Sequence, residues 1–208
     1  VKVAVVAGIC VERDAISNAV VEQLEALRRI PQVESVTLFT QACDRDTGGQ
    51  VVVGSDPWRM IVNPGFDEAD VAIFHWGISY DLFDALILAP TATRRCAVHF
   101  HNVTPAELLT GLDRDKGMRS QTQMAALPDA DTDMWTYSEF NRRTLENWGV
   151  PVHRLFHVPI AIPPPLSVRA GRRTDGVDLL TVGRLVPAKG VHVLVDAVAL
   201  LPTDVRST

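Results

Sequence analysis

The sequence predicts an α/β chain built around a mainly parallel sheet, and three observations carry that expectation. Short continuous apolar runs recur through the first 160 residues, as strands buried on both faces require. Segments with apolar residues at helical spacing separate them. The two kinds of segment alternate at a spacing that suits strand–helix–strand units rather than hairpins.

The elements follow in order. Residues 1–7 form the first apolar strand, followed by a loop from Gly8 to Arg13. Asp14 stands where a helix cap is needed, and Ile16, Val20, Leu24 and Leu27 make the buried stripe of the helix, which ends before Pro31. Residues 35–39 are the second strand, and 51–53 a possible short one within a polar stretch. Residues 71–74 form the next buried strand, 81–88 a helix and 96–100 another strand. Thr104-Pro105-Ala106-Glu107 has the form of a capping box with proline at the first helical position. Residues 120–127 are expected to be helical and 134–137 a strand. Ser138 caps a helix that Gly149 ends, and 152–158 closes the series.

The 208 residues are 47% hydrophobic and 22% charged, an ordinary globular composition. A net charge of -5 argues against bulk affinity for nucleic acid, so any phosphate site must be a local cluster. Cys10, Cys43 and Cys96 lie far apart without a C-x-x-C spacing. They suggest neither a disulfide framework nor a zinc ribbon, but a reducing, cytoplasmic compartment. The first apolar run is too short to span a membrane; peripheral membrane contact stays open.

A first domain is thus expected over residues 1–160. The proline-rich and basic stretch 161–176 reads as a linker. Beyond it, 177–182 reads as a strand, and Val191, Leu194, Val195, Val198 and Leu201 as the buried face of a helix. One strand and one helix cannot bury a core of their own, so residues 177–208 are expected to begin a larger, truncated domain.

Between that strand and helix stands Val182-Gly183-Arg184-Leu185-Val186-Pro187-Ala188-Lys189-Gly190. A helix N-terminus offers free N–H groups to a phosphate, Arg184 a planar fork and Lys189 a mobile point charge. A plain turn with two solvated cations is the competing reading. The Val-Gly-Arg-Leu and Pro-x-Lys-Gly pattern resembles the donor-site signature of family 4 glycosyltransferases. These are retaining enzymes of the GT-B fold, with two Rossmann-like domains facing a cleft. The resemblance implies a doubly wound parallel sheet in the first domain and the start of a second Rossmann-like domain at 177. It also implies that Arg184 and Lys189 hold the donor diphosphate.

Loops at the expected carboxyl ends of strands, where doubly wound sheets bind ligands, carry the other candidates. Asp14-Ala15-Ile16-Ser17-Asn18 resembles an acceptor or donor loop of a subset of the same family, although Asp14 is equally explained as an N-cap. Arg13 stands where that family has glycine. His75-Trp76-Gly77 ends a buried strand and could line a sugar site or simply pack. His101-Asn102-Val103-Thr104-Pro105 resembles the family stretch in which a histidine stands beside the donor sugar, which marks His101 as the catalytic candidate with Asn102 next to it. Alternation puts His99 and His101 on one side of their strand, with His99 inside the strand and expected simply to pack; the pair could bind zinc, but no third ligand is apparent. Ser138 is a cap that could also face the cleft.

The expected activity is transfer of a sugar from a nucleotide-diphosphate donor to a carbohydrate or other hydroxyl acceptor. No cofactor and no metal is expected, because the cations at 184 and 189 would stabilise the leaving diphosphate. The alternatives are a nucleotide-sugar epimerase of the same architecture, a nicotinamide oxidoreductase and a non-catalytic binding fragment. The single glycine at Gly8 disfavours the oxidoreductase. The family's paired glutamates would lie beyond Thr208.

Overall fold

A computed structural model of the chain describes residues 1–89, 95–159, 179–183 and 185–202. It divides into two compact units, Val1–Ile160 and Ala161–Thr208.

The first unit starts with β1 (Lys2–Ala7), β2 (Ile9–Cys10) and α1 (Ala15–Arg28). Next come β3 (Ser35–Thr40), β4 (Ala42–Cys43) and β5 (Gln50–Val53). Two short helices follow, α2 (Pro57–Ile61) and α3 (Pro64–Asp67), each with proline in its first turn and an Asp56 or Asn63 cap. Then come β6 (Val71–Trp76), a 3-10 turn running into α4 (Ala85–Leu88), and β7 (Arg95–Phe100). The unit finishes with α5 (Gly111–Met124), β8 (Asp133–Thr136), α6 (Glu139–Asn147) and β9 (Leu155–His157).

Seven strands form one sheet in the order β5-β3-β1-β6-β7-β8-β9, and every pairing is parallel. The order runs outward in both directions from the β1–β6 boundary, which is the switch point of a doubly wound, Rossmann-like sheet. The minor strands β2 and β4 pair separately, with Cys10 opposite Cys43. Cys10 and Cys43 are free thiols.

Side chains alternate between two cores because successive residues of a strand point to opposite faces. On β1, Ala4 and Val6 join the cluster containing Phe39, Phe66, Phe74, Trp76 and Phe83. Val3, Val5 and Ala7 join the cluster that Val20 and Leu24 of α1 cover. The stripe expected for α1 is therefore the one it buries, with Ile16 and Leu27 at its margins.

Several local expectations are corrected. The capping-box residues 104–107 do not start an α-helix; Ala106–Leu108 is a 3-10 turn with no side-chain cap, because the backbone extends again at Leu109. The helix expected at 120–127 starts earlier, at Gly111, and ends at Met124. The strand expected at 152–158 is reduced to Leu155–His157 after a 3-10 turn.

In the second unit, the described part of the strand expected at 177–182, residues 179–182, has no regular structure and is exposed. A strand needs a paired neighbour, and no other strand exists among the described residues of this unit. Pro187 does not enter the first α-helical turn. It opens a separate 3-10 turn, Pro187–Lys189, and Gly190 at φ 65° breaks the backbone before α7 (Val191–Ala199). Val191, Leu194 and Val198 are the less exposed side of that helix, as their spacing predicts, whereas Val195, expected on the same face, is exposed. No helix among the described residues is long and apolar enough to cross a membrane.

Candidate functional site: a histidine cluster at the carboxyl edge of the sheet

Strand register brings three histidines together. β6 and β7 align His75 with His99, so the two rings leave the same face side by side. His101 lies two residues past His99 and returns to that face by the same alternation. The ladder continues one residue beyond β7, with the His101 N–H donating to the Trp76 carbonyl at 2.7 Å. The ring centroids lie 5.1–5.3 Å apart pairwise, with His75 and His101 stacked at 24°. The face is the one α1 covers, and Gln23 reaches the cluster from that helix. Tyr137, just past β8, places its ring 4.4 Å from that of His99 and 5.1 Å from that of His101.

The interior keeps these imidazoles neutral. Burial first, then the neighbouring His101 and His99, hold His75 well below the ordinary histidine value. Burial lowers His99 to about 4. Burial and then His99 lower His101 to about 3, while the nearby Asp14 carboxylate acts in the opposite direction. At neutral pH each ring therefore has one N–H and one lone pair. His75 uses both: its Nε2 lies 2.7 Å from Gln23 Oε1 and its Nδ1 2.9 Å from His101 Nε2. With Gln23 accepting from Nε2–H, the Nδ1 lone pair faces His101. Both ring nitrogens of His99 are buried and have no hydrogen-bond partner among the described residues.

A cavity of about 70 Å³ adjoins the cluster at the switch point, lined by Gly8, Asp14, His75, Gly77 and Tyr80 among others. Gly8 is required there: a Cβ on it would fall 1.9 Å from the Tyr80 ring. Roomier clefts of about 400–450 Å³ lie elsewhere on the unit, one against Val52–Asp56 and Arg59 and another along Asp81, Asp84 and Arg119.

Among the expected site residues, His101 is half-buried at the carboxyl edge, and Asp14 lies close enough to influence its charge. Asp14 is also a true N-cap, accepting from the Ser17 backbone N–H and hydroxyl at 2.7 Å each. Asn18 is exposed and accepts from Arg45 Nη1 at 2.6 Å. Asn102 turns the chain away from β7 at φ 75°, its Oδ1 accepting from the Val103 N–H at 2.8 Å. Ser138 caps α6 through the Asn141 N–H at 3.2 Å. Lys189 is exposed in its 3-10 turn, ahead of α7 rather than in its first turn. Arg184 lies outside the described residues.

In the sequence His99 and His101 lack a visible third ligand and no metal is expected; the structure places a third imidazole, His75, beside them from the neighbouring strand. Parity along each strand is visible in sequence, but the β6–β7 register that aligns His75 with His99 is not. Gln23 and Tyr137 carry no sequence signal of their own. No family model matches the chain, and no curated protein matches it.

Proposed function

We propose that the chain carries the acceptor-side domain and the start of the donor-binding domain of a retaining sugar transferase. The reaction moves a sugar from a nucleotide-diphosphate donor to a carbohydrate or other hydroxyl acceptor in the cytoplasm. The observation that carries this reading is the position of His101. It stands half-buried at the carboxyl edge of a doubly wound parallel sheet, beside the Asp14 loop, where such sheets receive ligands.

The transition state of sugar transfer has oxocarbenium character, and the departing diphosphate gains charge. A neutral imidazole at position 101 suits a sugar hydroxyl, because it donates or accepts a hydrogen bond without burying a charge. Arg184 and Lys189 take the diphosphate, and their contacts tighten as the leaving group departs. Asp14, Asn102 and Ser138 border the acceptor, and Asn18 lies one helical turn behind.

The test is sugar transfer by the complete protein from a panel of nucleotide sugars, compared with His101→Ala. The variant is expected to lose turnover while keeping the parent's melting temperature when both are measured in EDTA. Parent-level turnover in the variant removes His101 from the reaction.

A further inference from the structure

We propose that His75, His99 and His101 form a binding site for one divalent transition-metal ion of the Zn²⁺ class. Their candidate ligand atoms all lie within 4.8 Å of one another. The 2.9 Å between His75 Nδ1 and His101 Nε2 is close to the roughly 3.3 Å edge of a tetrahedron with Zn–N bonds of about 2.0–2.1 Å. His99 brings a third imidazole to the pair, its ring centroid 5.3 Å from that of His75 and 5.1 Å from that of His101.

The second and independent observation is His99 itself. It is only 8% exposed, and both of its ring nitrogens lack hydrogen-bond partners among the described residues. A buried imidazole in that condition sacrifices hydrogen bonds it would have in water. A metal ion on one nitrogen turns that cost into a bond. The surroundings fit as well. Gln23 Oε1 accepts the outer N–H of His75, which fixes the tautomer that leaves Nδ1 free for a metal. Three neutral imidazoles suit zinc, copper or nickel rather than calcium or magnesium, which prefer oxygen ligands. Three imidazole ligands leave the fourth position of a tetrahedral ion to water.

The site shares His101 with the transferase reading but is argued from the cluster's own geometry. It needs no donor, and donor binding through Arg184 and Lys189 is measured separately, so either proposal can fail alone.

The test uses the full chain, stripped with EDTA and titrated with Zn²⁺ against a chromophoric chelator, with Co²⁺ as a spectroscopic probe. One equivalent is expected to bind and to raise the melting temperature, and Co²⁺ is expected to show tetrahedral visible absorption. His99→Phe and His101→Gln should each weaken Zn²⁺ binding by at least about tenfold. In EDTA, His99→Phe should melt no lower than the parent, since it removes two unpartnered nitrogens. His153→Gln, at an exposed histidine, should bind like the parent. If His99→Phe does not fold, the half-exposed His101→Gln decides. Absence of stoichiometric binding, or parent-level affinity in His101→Gln, overturns the site.

Discussion

His75 Nδ1 faces His101 Nε2 at 2.9 Å, although the two residues are 26 positions apart in the chain. The contact exists because β6 and β7 run in register and both histidines leave the α1-covered face. Its orientation depends on Gln23, which occupies the other nitrogen of His75.

Gln23→Leu is therefore expected to weaken Zn²⁺ binding by about 10–100-fold, as loss of an outer hydrogen bond to a metal-bound histidine typically does. It should also leave a buried N–H unpaired and cost about 1–3 kcal/mol in the metal-free protein. Chelator competition and urea denaturation in EDTA read the two effects. Unchanged values in both would show that Gln23 does not position His75.

The opposite face of the sheet makes a prediction about stability alone. Phe74 is fully buried and meets Phe66 edge to face at 6.4 Å. Phe74→Ala should cost about 3–5 kcal/mol, the transfer of the ring plus the cavity it leaves. The midpoint of urea unfolding measures it, and a loss under 1 kcal/mol would contradict the packing described.

Asp14 combines a cap with a charge near His101, and two substitutions separate them. Asp14→Ala should destabilise α1 by about 0.5–2 kcal/mol. Asp14→Asn keeps an acceptor for the Ser17 N–H and should leave the melting temperature nearly unchanged. If the carboxylate serves the reaction, Asp14→Asn loses turnover in the complete protein; retained turnover assigns Asp14 to the helix alone.

Glu139 sets an acid limit on α6. Hydrogen bonds from Arg142 and then Arg143 hold its carboxyl at about 2, below the ordinary 4.5. The folded value is depressed, so the stabilisation is fully present above pH 4.5 and is lost as pH falls through about 2. Both partners lie at the surface, and salt should weaken the effect. Thermal melts from pH 7 to 2 should show the parent ahead of Glu139→Gln above pH 4.5 and the two converging near pH 2. Parallel curves across the range would contradict the assignment.

The sheet was legible because buried parallel strands contain continuous apolar runs such as residues 71–74, and because α1 keeps its stripe at Val20 and Leu24. Asp14 and Ser138 were legible as caps, since capping needs only a short polar side chain before an apolar helix. The histidine cluster was half legible. His99 and His101 share a face by parity within one strand, whereas His75 joins them through the pairing of strands far apart in sequence. Residues 179–182 read as a strand from their apolar character, but strand formation depends on a partner that local sequence does not specify. Gly190 was equally misleading: at φ 65° it separates Lys189 from α7, where the proline pattern suggested a continuous helix start.

The donor site is the central claim, and diphosphate affinity tests it most directly. Calorimetric titration of the complete protein with nucleoside diphosphates should find one that binds at a single site. Lys189→Ala and Arg184→Ala should each weaken that binding roughly 10- to 150-fold, the loss of one charge-assisted contact of about 1.5–3 kcal/mol. The fold should persist, because Lys189 is exposed. Equal affinity in the parent and both variants would place the phosphate elsewhere and contradict the transferase reading.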